Sequence, residues 1–346
     1  MEIYKTLNAV YKNFAEFFTT EGIDEIRRFL ADSARQTFGE LKIKPKEGYI
    51  LDDPHVHYPK SRSREDLESL VRIMASRLGR TSITTWLMGE NDKETLGRED
   101  DEVRCVLKYS DLVEQVRSLS KDISIDNRRE VSIISVGERK LQVYPCWEIK
   151  TTSPIKGFYP HITAEGCLKP IEPGQDTRKV IDLIHEQGGL ANIEHITTRP
   201  HPLLQFTLTS PEENDFLNQL CYTADSAEVF NSYNTLWMLA SNAYAKRMFA
   251  DQRIPKTAGS DLHFGRGSIL GRYFHRKRIG KVGIWLPEHD LTGLTGREIL
   301  EQKRQDLKDG NFERLETYTD PMHFFFTMIA PRFQEMFIRL KEKIRK

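Results

Sequence analysis

Apolar positions change period along the chain. Ile3, Leu7, Tyr11, Phe14 and Phe18 form one stripe at helical spacing, and Ile26, Phe29, Leu30 and Phe38 form another. Both stripes predict helices that pack on a main domain. The stretch from Lys42 to Gly48 reads as a linker. From Tyr49 onward, short apolar runs of strand length alternate with helical patterns. The predicted strands are Tyr49–Leu51, Ser82–Met88, Leu141–Ile149, Phe158–Thr163, Leu190–Glu194, Ser226–Phe230 and Ile254–Ala258. The predicted helices between them are Arg64–Leu78, Thr177–Gln187, Glu212–Tyr222 and Thr235–Ala250. Gly188-Gly189 closes one helix, because glycine enters the left-handed conformation that ends helices. Pro211, Glu212 and Glu213 open another, with the carboxylates at the positive end of the helix dipole. Val131–Val136 and Leu141–Tyr144 predict a hairpin across Gly137-Glu138-Arg139-Lys140. Strand followed by helix, repeated, argues for a parallel sheet with helices outside.

The flanks differ. Asn91 to Glu102 is dense in charge and reads as an exposed insertion. A last strand is expected over Gly280–Leu286, after which the pattern returns to helix. There Phe325, Met328, Ile329, Phe333, Met336, Phe337, Leu340 and Ile344 form an apolar stripe, expected to dock as a cap and to kink at Pro331.

With 346 residues, the chain fits one large α/β domain with additions, or two domains. The 51 basic and 51 acidic residues cancel, so no global attraction to nucleic acid or anionic membrane is expected. The basic run from Arg266 to Lys281 reads as a solvated loop. Cys105, Cys146, Cys167 and Cys221 form no CxxC pair and fit free thiols in a reducing cytosol. The start of the chain does not look like a signal peptide, and no apolar run approaches the roughly 20 residues that span a bilayer. A cytoplasmic protein without a membrane partner is expected.

Chemistry collects at the strand ends. Asp53-Pro54-His55-Val56-His57 ends one strand, and Gly259-Ser260-Asp261-Leu262-His263 ends another. Alternate strand residues share a face, so His55 can converge with His57, and Asp261 with His263. Glu148, His161 and His195 fall at other strand ends. Ligand-type side chains in register with strand termini point to a metal site, and to an enzyme rather than a scaffold.

The segments Asp53-Pro-His-Val-His57, Cys146-Trp-Glu-Ile149, Tyr159-Pro-His161, Leu183 to His195, Ala227-Glu-Val-Phe-Asn231 and Ala258-Gly-Ser-Asp-Leu-His263 together resemble the PHP (polymerase and histidinol phosphatase) family of metal-dependent phosphoesterases. The likeness covers about residues 49 to 285 and leaves both ends outside. It implies a distorted (β/α)7 barrel over 48–287, with helical extensions over 1–47 and 288–346. It also implies that His55, His57, Glu148 and Asp261 hold one metal, while Glu148, His161 and His195 hold a second, with Glu148 bridging. The family's third metal uses His263 with two further histidines. Neither Tyr58–Arg64 nor Ile83-Thr84-Thr85-Trp86 supplies one. Two metals are therefore expected, with His263 as a weak ligand or proton donor.

A mixed histidine and carboxylate set suits Zn²⁺, Mn²⁺ or Fe²⁺ better than Mg²⁺. Two such ions would activate water for attack on a phosphate ester. Lys60, Arg62 and Arg64 after the HxH motif, and Arg199 and His201 after His195, are candidate phosphate donors, with Arg199 also a candidate for charge neutralisation in catalysis. Glu228 and Asn231 read as residues of the barrel rim or as supports for the ligands. His185 reads as structural, and His275, His289 and His323 fall outside the pattern. A small phosphomonoester is the expected substrate, with a nucleic-acid end as the main variant. The competing readings are hydrolysis of a non-phosphate bond and a degenerate module with a structural or partner-binding role.

Overall fold

The computed structural model describes residues 11–12, 14–38, 42–87, 106–194, 196, 198–201, 205–232, 236–261 and 276–318. The predicted insertion over 91–102, Cys105, and the apolar stripe of residues 325–344 lie outside the described residues, as do His275 and His323.

Helix α1 (Thr20–Phe38) lies against the barrel. Phe17, Ile26 and Phe29 pack against a buried cluster of Phe230, Leu239, Ala258, Val282 and Tyr318. Tyr11, Phe14, Phe18 and Leu30, expected to pack inward, are exposed instead. Ion pairs secure the helix. Arg28 pairs with Glu25 and Glu316, and Lys246 bridges the same two carboxylates.

The barrel begins with β1 (Tyr49–Asp53), α2 (Arg64–Arg77) and β2 (Arg80–Leu87). Ser63 caps α2 by accepting a hydrogen bond from the Asp66 N–H. A short α3 (Tyr109–Val116) leads to β3 (Ile123–Asn127), β4 (Ser132–Val136) and β5 (Arg139–Lys150). The β4–β5 hairpin forms as the sequence predicts, with Val136 opposite Arg139. Then come β6 (His161–Glu165), α4 (Thr177–Glu186), β7 (Leu190–Glu194) and a separate hairpin of β8 (Thr198–His201) and β9 (Gln205–Leu208). The chain continues through α5 (Pro211–Leu220), β10 (Ser226–Asn231), α6 (Leu236–Met248), β11 (Lys256–Gly259), β12 (Gly283–Pro287), α7 (Gly296–Lys308) and β13 (Glu313–Leu315). A full capping box starts α5 at Ser210 and Glu213, and another starts α7 at Thr295 and Glu298.

The main sheet runs in the order β11-β10-β7-β6-β5-β2-β1-β12-β13, and β11 packs near β12 and β13. The result is a nearly closed, distorted α/β barrel. It is not wholly parallel. The strand predicted over Phe158–Thr163 begins at His161 and pairs antiparallel with both β5 and β7. The ten residues between β5 and β6 hold no helix, so the chain turns straight back instead of crossing over. At the closing edge, β12 is antiparallel to β1, and β13 is antiparallel to β12.

Both ends of the barrel hold charge. At the end where β2, β5 and β7 begin, Lys303 of α7 reaches inside. Its Nζ lies 2.6 Å from Asp52 Oδ2 and 2.6 and 2.7 Å from the two oxygens of Glu165. Arg80 is fully buried there and donates from Nε to Gln142 Oε1 at 3.0 Å, with Tyr144 beneath both cations. The run read as a solvated loop also contributes to the core. Arg278 is buried and donates to the carbonyls of Thr317 and Tyr318 and to Ser232 Oγ.

Candidate metal centre

The opposite end of the barrel gathers the ligand-type residues. His55 and His57 leave β1, Glu148 lies near the end of β5, Glu194 ends β7, and Asp261 follows β11. His161 reaches the same mouth from the other direction. It begins β6, and the reversal of that strand puts its first residue where its neighbours have their last. His55, His57, Glu148 and Asp261 are all buried.

Among the described residues, His55, His57 and Glu148 offer donor atoms to one point, and Asp261 stands beside it. His57 Nε2 lies 3.0 Å from Glu148 Oε2 and 3.8 Å from Asp261 Oδ1. His55 Nε2 lies 3.7 Å from Glu148 Oε2 and 3.5 Å from Asp261 Oδ1. Donors bound about 2.1 Å from one ion are about 3.4 Å apart in a tetrahedron and about 3.0 Å apart at right angles. The His55, His57 and Glu148 donors suit one divalent cation, and Asp261 Oδ1 borders the site without joining their cluster. The other oxygen of Glu148 turns away, and Oε1 lies 2.7 Å from His161 Nδ1.

The support behind these ligands is as ordered as the ligands. His55 Nδ1 lies 2.8 Å from Glu194 Oε2 and 3.3 Å from Glu228 Oε1. Among the described residues, His55, Glu194 and Glu228 form a second cluster with donor spacing. It shares its histidine with the first cluster, and a ring that binds metal through Nε2 gives its Nδ1–H to a carboxylate. Glu194 and Glu228 therefore fix the tautomer of His55. Glu194 itself accepts from Thr163 Oγ1 at 2.6 Å and from the Asn192 amide. Asn231 donates to Glu228 Oε2 at 3.0 Å and to Asp261 Oδ2 at 3.2 Å. Glu228 and Asn231 thus support the ligands. Glu194 has no counterpart in the sequence reading. Its place at the end of an apolar strand was the available signal, but His195 beside it drew the assignment.

The GSD segment folds as it does for a steric reason. A Cβ at Gly259 would lie 2.3 Å from Glu228 Oε1 and 2.8 Å from His55 Cβ. Only glycine lets those two side chains meet. Ser260 N–H donates to Asp53 Oδ1 at 3.1 Å, and Asp261 N–H donates to the His55 carbonyl at 2.8 Å. Asp261 has a φ of 40°, a left-handed conformation that aspartate tolerates better than most side chains. The turn stitches the end of β11 onto the end of β1.

Charge balance follows from this crowding. Burial works against a charged His55 ring, but Glu194, Asp261 and Glu228 outweigh it and hold its proton affinity well above the usual histidine range. Burial also raises Asp53 to about 7, against the Ser260 hydrogen bonds.

The remaining candidates are placed less centrally. Lys60, Arg62 and Arg64 are exposed on the way into α2, and Arg64 is its first residue. Arg199 and His201 lie in β8, but their side chains are outside the description. His195 and His263 lie outside the described residues. His185 pairs with Asp225 and His289 with Asp306, away from the centre.

No protein-family model and no curated protein matches the chain. Several solved chains are similar. The lesion-specific endonuclease PfuEndoQ from Pyrococcus furiosus shows 13% identity over 77% of this chain, with a TM-score of 0.40. The match spans 57% of the endonuclease's own length. A candidate metal-dependent phosphoesterase from Bifidobacterium adolescentis shows 13% identity over 63% of this chain and 89% of its own, with a TM-score of 0.35. At that identity and score, neither carries its activity over to this chain. The PHP resemblance stands on the ligand segments and on the way this barrel brings them together. No described helix is long and apolar enough to cross a membrane.

Proposed function

We propose that this protein is a metal-dependent phosphoesterase that uses two divalent ions and acts on a small phosphate ester. One observation carries the reading. Glu148 divides its oxygens between two ligand sets, Oε2 toward His55 and His57 and Oε1 toward His161. A carboxylate shared in this way suits a pair of cations about 3.5–4 Å apart. On this reading His55, His57, Glu148 and Asp261 hold one ion, and Glu148, His161 and His195 hold the other. Zn²⁺, Mn²⁺ and Fe²⁺ fit the donors best. Bound there, two such ions would neutralise phosphoryl charge and make a water acidic enough to attack near neutral pH.

The chain's own residues do the positioning. Glu194 and Glu228 hold the His55 ring, Asn231 holds Glu228 and Asp261, and the buried walls keep bulk water from the donors. His263 is assigned as the proton donor to the leaving group. Arg199 is assigned to charge neutralisation, and Lys60, Arg62, Arg64 and His201 to phosphate binding.

Elemental analysis of the purified protein, paired with hydrolysis of phosphomonoesters, phosphodiesters and amides, tests the proposal. About two ions per chain and metal-dependent release of phosphate support it. A protein that retains no ion and stays inactive with added Mn²⁺ or Zn²⁺ overturns it. Steep loss of binding with salt would assign the substrate to a nucleic-acid end.

A further inference from the structure

Lys150 and Tyr159 stand beside the metal centre. Lys150 is two residues beyond Glu148 on β5, so the two side chains leave the same face of the strand. In the antiparallel register Lys150 is opposite His161, whose ring contacts Glu148. A two-residue step along a strand is roughly 7 Å. The lysine therefore stands one step outward from the bridging carboxylate, at the barrel mouth.

Tyr159 belongs to the connection between β5 and β6. Lys150 Nζ lies 4.9 Å from the centre of its ring. The tyrosine is 46% exposed, but the loop that presents it is anchored. Phe158 is buried against Phe216, Ser153 donates to the Phe158 carbonyl at 2.8 Å, and Thr151 donates to the Pro160 carbonyl at 2.8 Å. A scattered exposed aromatic needs no explanation. This one has a cation on its face, a rigid mount and a metal-ligand candidate two residues away.

We propose that Lys150 and Tyr159 form the substrate lip of the metal centre and select a nucleotide-type phosphate ester. The Lys150 ammonium meets the phosphate, and the open ring of Tyr159 stacks the aromatic base. Both groups are needed because the ligand has both parts, a charged phosphate and a flat π-surface. A free nucleotide and the end of a single strand share this chemistry. The assignment rests on the phosphoesterase reading for its chemistry, and on the Lys150–Tyr159 geometry for its specificity.

Calorimetric titration of the full-length, Mn²⁺-loaded protein tests it without turnover. The probes are inorganic phosphate, the non-hydrolysable phosphonate of adenosine, and a short oligonucleotide ending in that phosphonate. Lys150→Met should weaken all three by about tenfold, and Lys150→Arg should restore most of the loss. Tyr159→Leu should weaken the two base-bearing probes by about tenfold and leave inorganic phosphate unchanged, while Tyr159→Phe keeps all three. The tighter of the two base-bearing probes identifies the source. Melting temperatures equal to that of the wild type show that each variant is folded. Phosphate affinity within about twofold of wild type in Lys150→Met overturns the lip, as does a Tyr159→Leu variant that loses all probes equally or none. A wild type that shows the expected binding pattern but hydrolyses no phosphate ester removes the phosphoesterase reading and leaves the lip in place.

Discussion

Glu194 Oε2 lies 2.8 Å from His55 Nδ1, with neither side chain exposed. The contact makes a carboxylate on one strand responsible for the ring orientation of a donor on another. Metal affinity should therefore depend on a residue that touches no metal. Glu194→Gln keeps the size but removes the charge and should weaken binding by about 10- to 100-fold. Calorimetric titration with Zn²⁺ or Mn²⁺ measures it, and an unchanged affinity would show that Glu228 alone holds His55.

Gly259→Ala should weaken the same site for a steric reason. The added methyl group would meet Glu228 Oε1 and His55 Cβ and push the pair apart. A loss of about tenfold in metal affinity, with a lower melting temperature, is the expected outcome. Retained affinity would mean that β11 shifts to accommodate the methyl.

Lys303→Met tests the far end of the barrel. Asp52 and Glu165 share the Lys303 ammonium, and both are buried. Removing the cation leaves two carboxylates without compensation, at a cost of about 3–5 kcal/mol. Urea denaturation reads the change. The candidate metal ligands are at the other mouth, so metal affinity should be unchanged wherever the variant is folded.

Acid should loosen the contact between α1 and the barrel. Burial alone would raise the Glu316 carboxyl, but Lys246, Arg314 and Arg28 outweigh it and hold it below the usual range. A folded pKa depressed in this way gives stability that is full above the ordinary carboxylate value of about 4 and is lost as pH falls through the folded value. Urea denaturation between pH 7 and 3 should show the wild type losing its stability advantage over Glu316→Gln as pH falls below about 4. An identical slope in the variant would move the effect to other carboxylates.

The strands and helices around the site were largely legible in the sequence. Leu190–Glu194 was placed to the residue, because a short apolar run between glycines and a turn has one reading. The reversal of β6 was not legible. A strand has the same alternation in either direction, and only the missing crossover helix between Lys150 and His161 marked the change. That His55, His57, Glu148, His161 and Asp261 would share one mouth was legible because histidines and carboxylates are rare at apolar strand ends. Glu194 was hidden by the histidine after it. The role of Gly259 was hidden too, because it depends on Glu228 and His55, which are remote in sequence. Lys303 reads as one more polar position on an amphipathic helix, and nothing local says that it points inward.

The reversed strand also changes how the mouth can move. Residues 151–160 are held at one end by the strand of Glu148 and at the other by His161. A cation held between Glu148 and His161 would replace their direct contact and tie both anchors of one short span to one ion. Filling the site should stiffen that span, and protection of Lys156 from trypsin would then report occupancy without any assay of turnover.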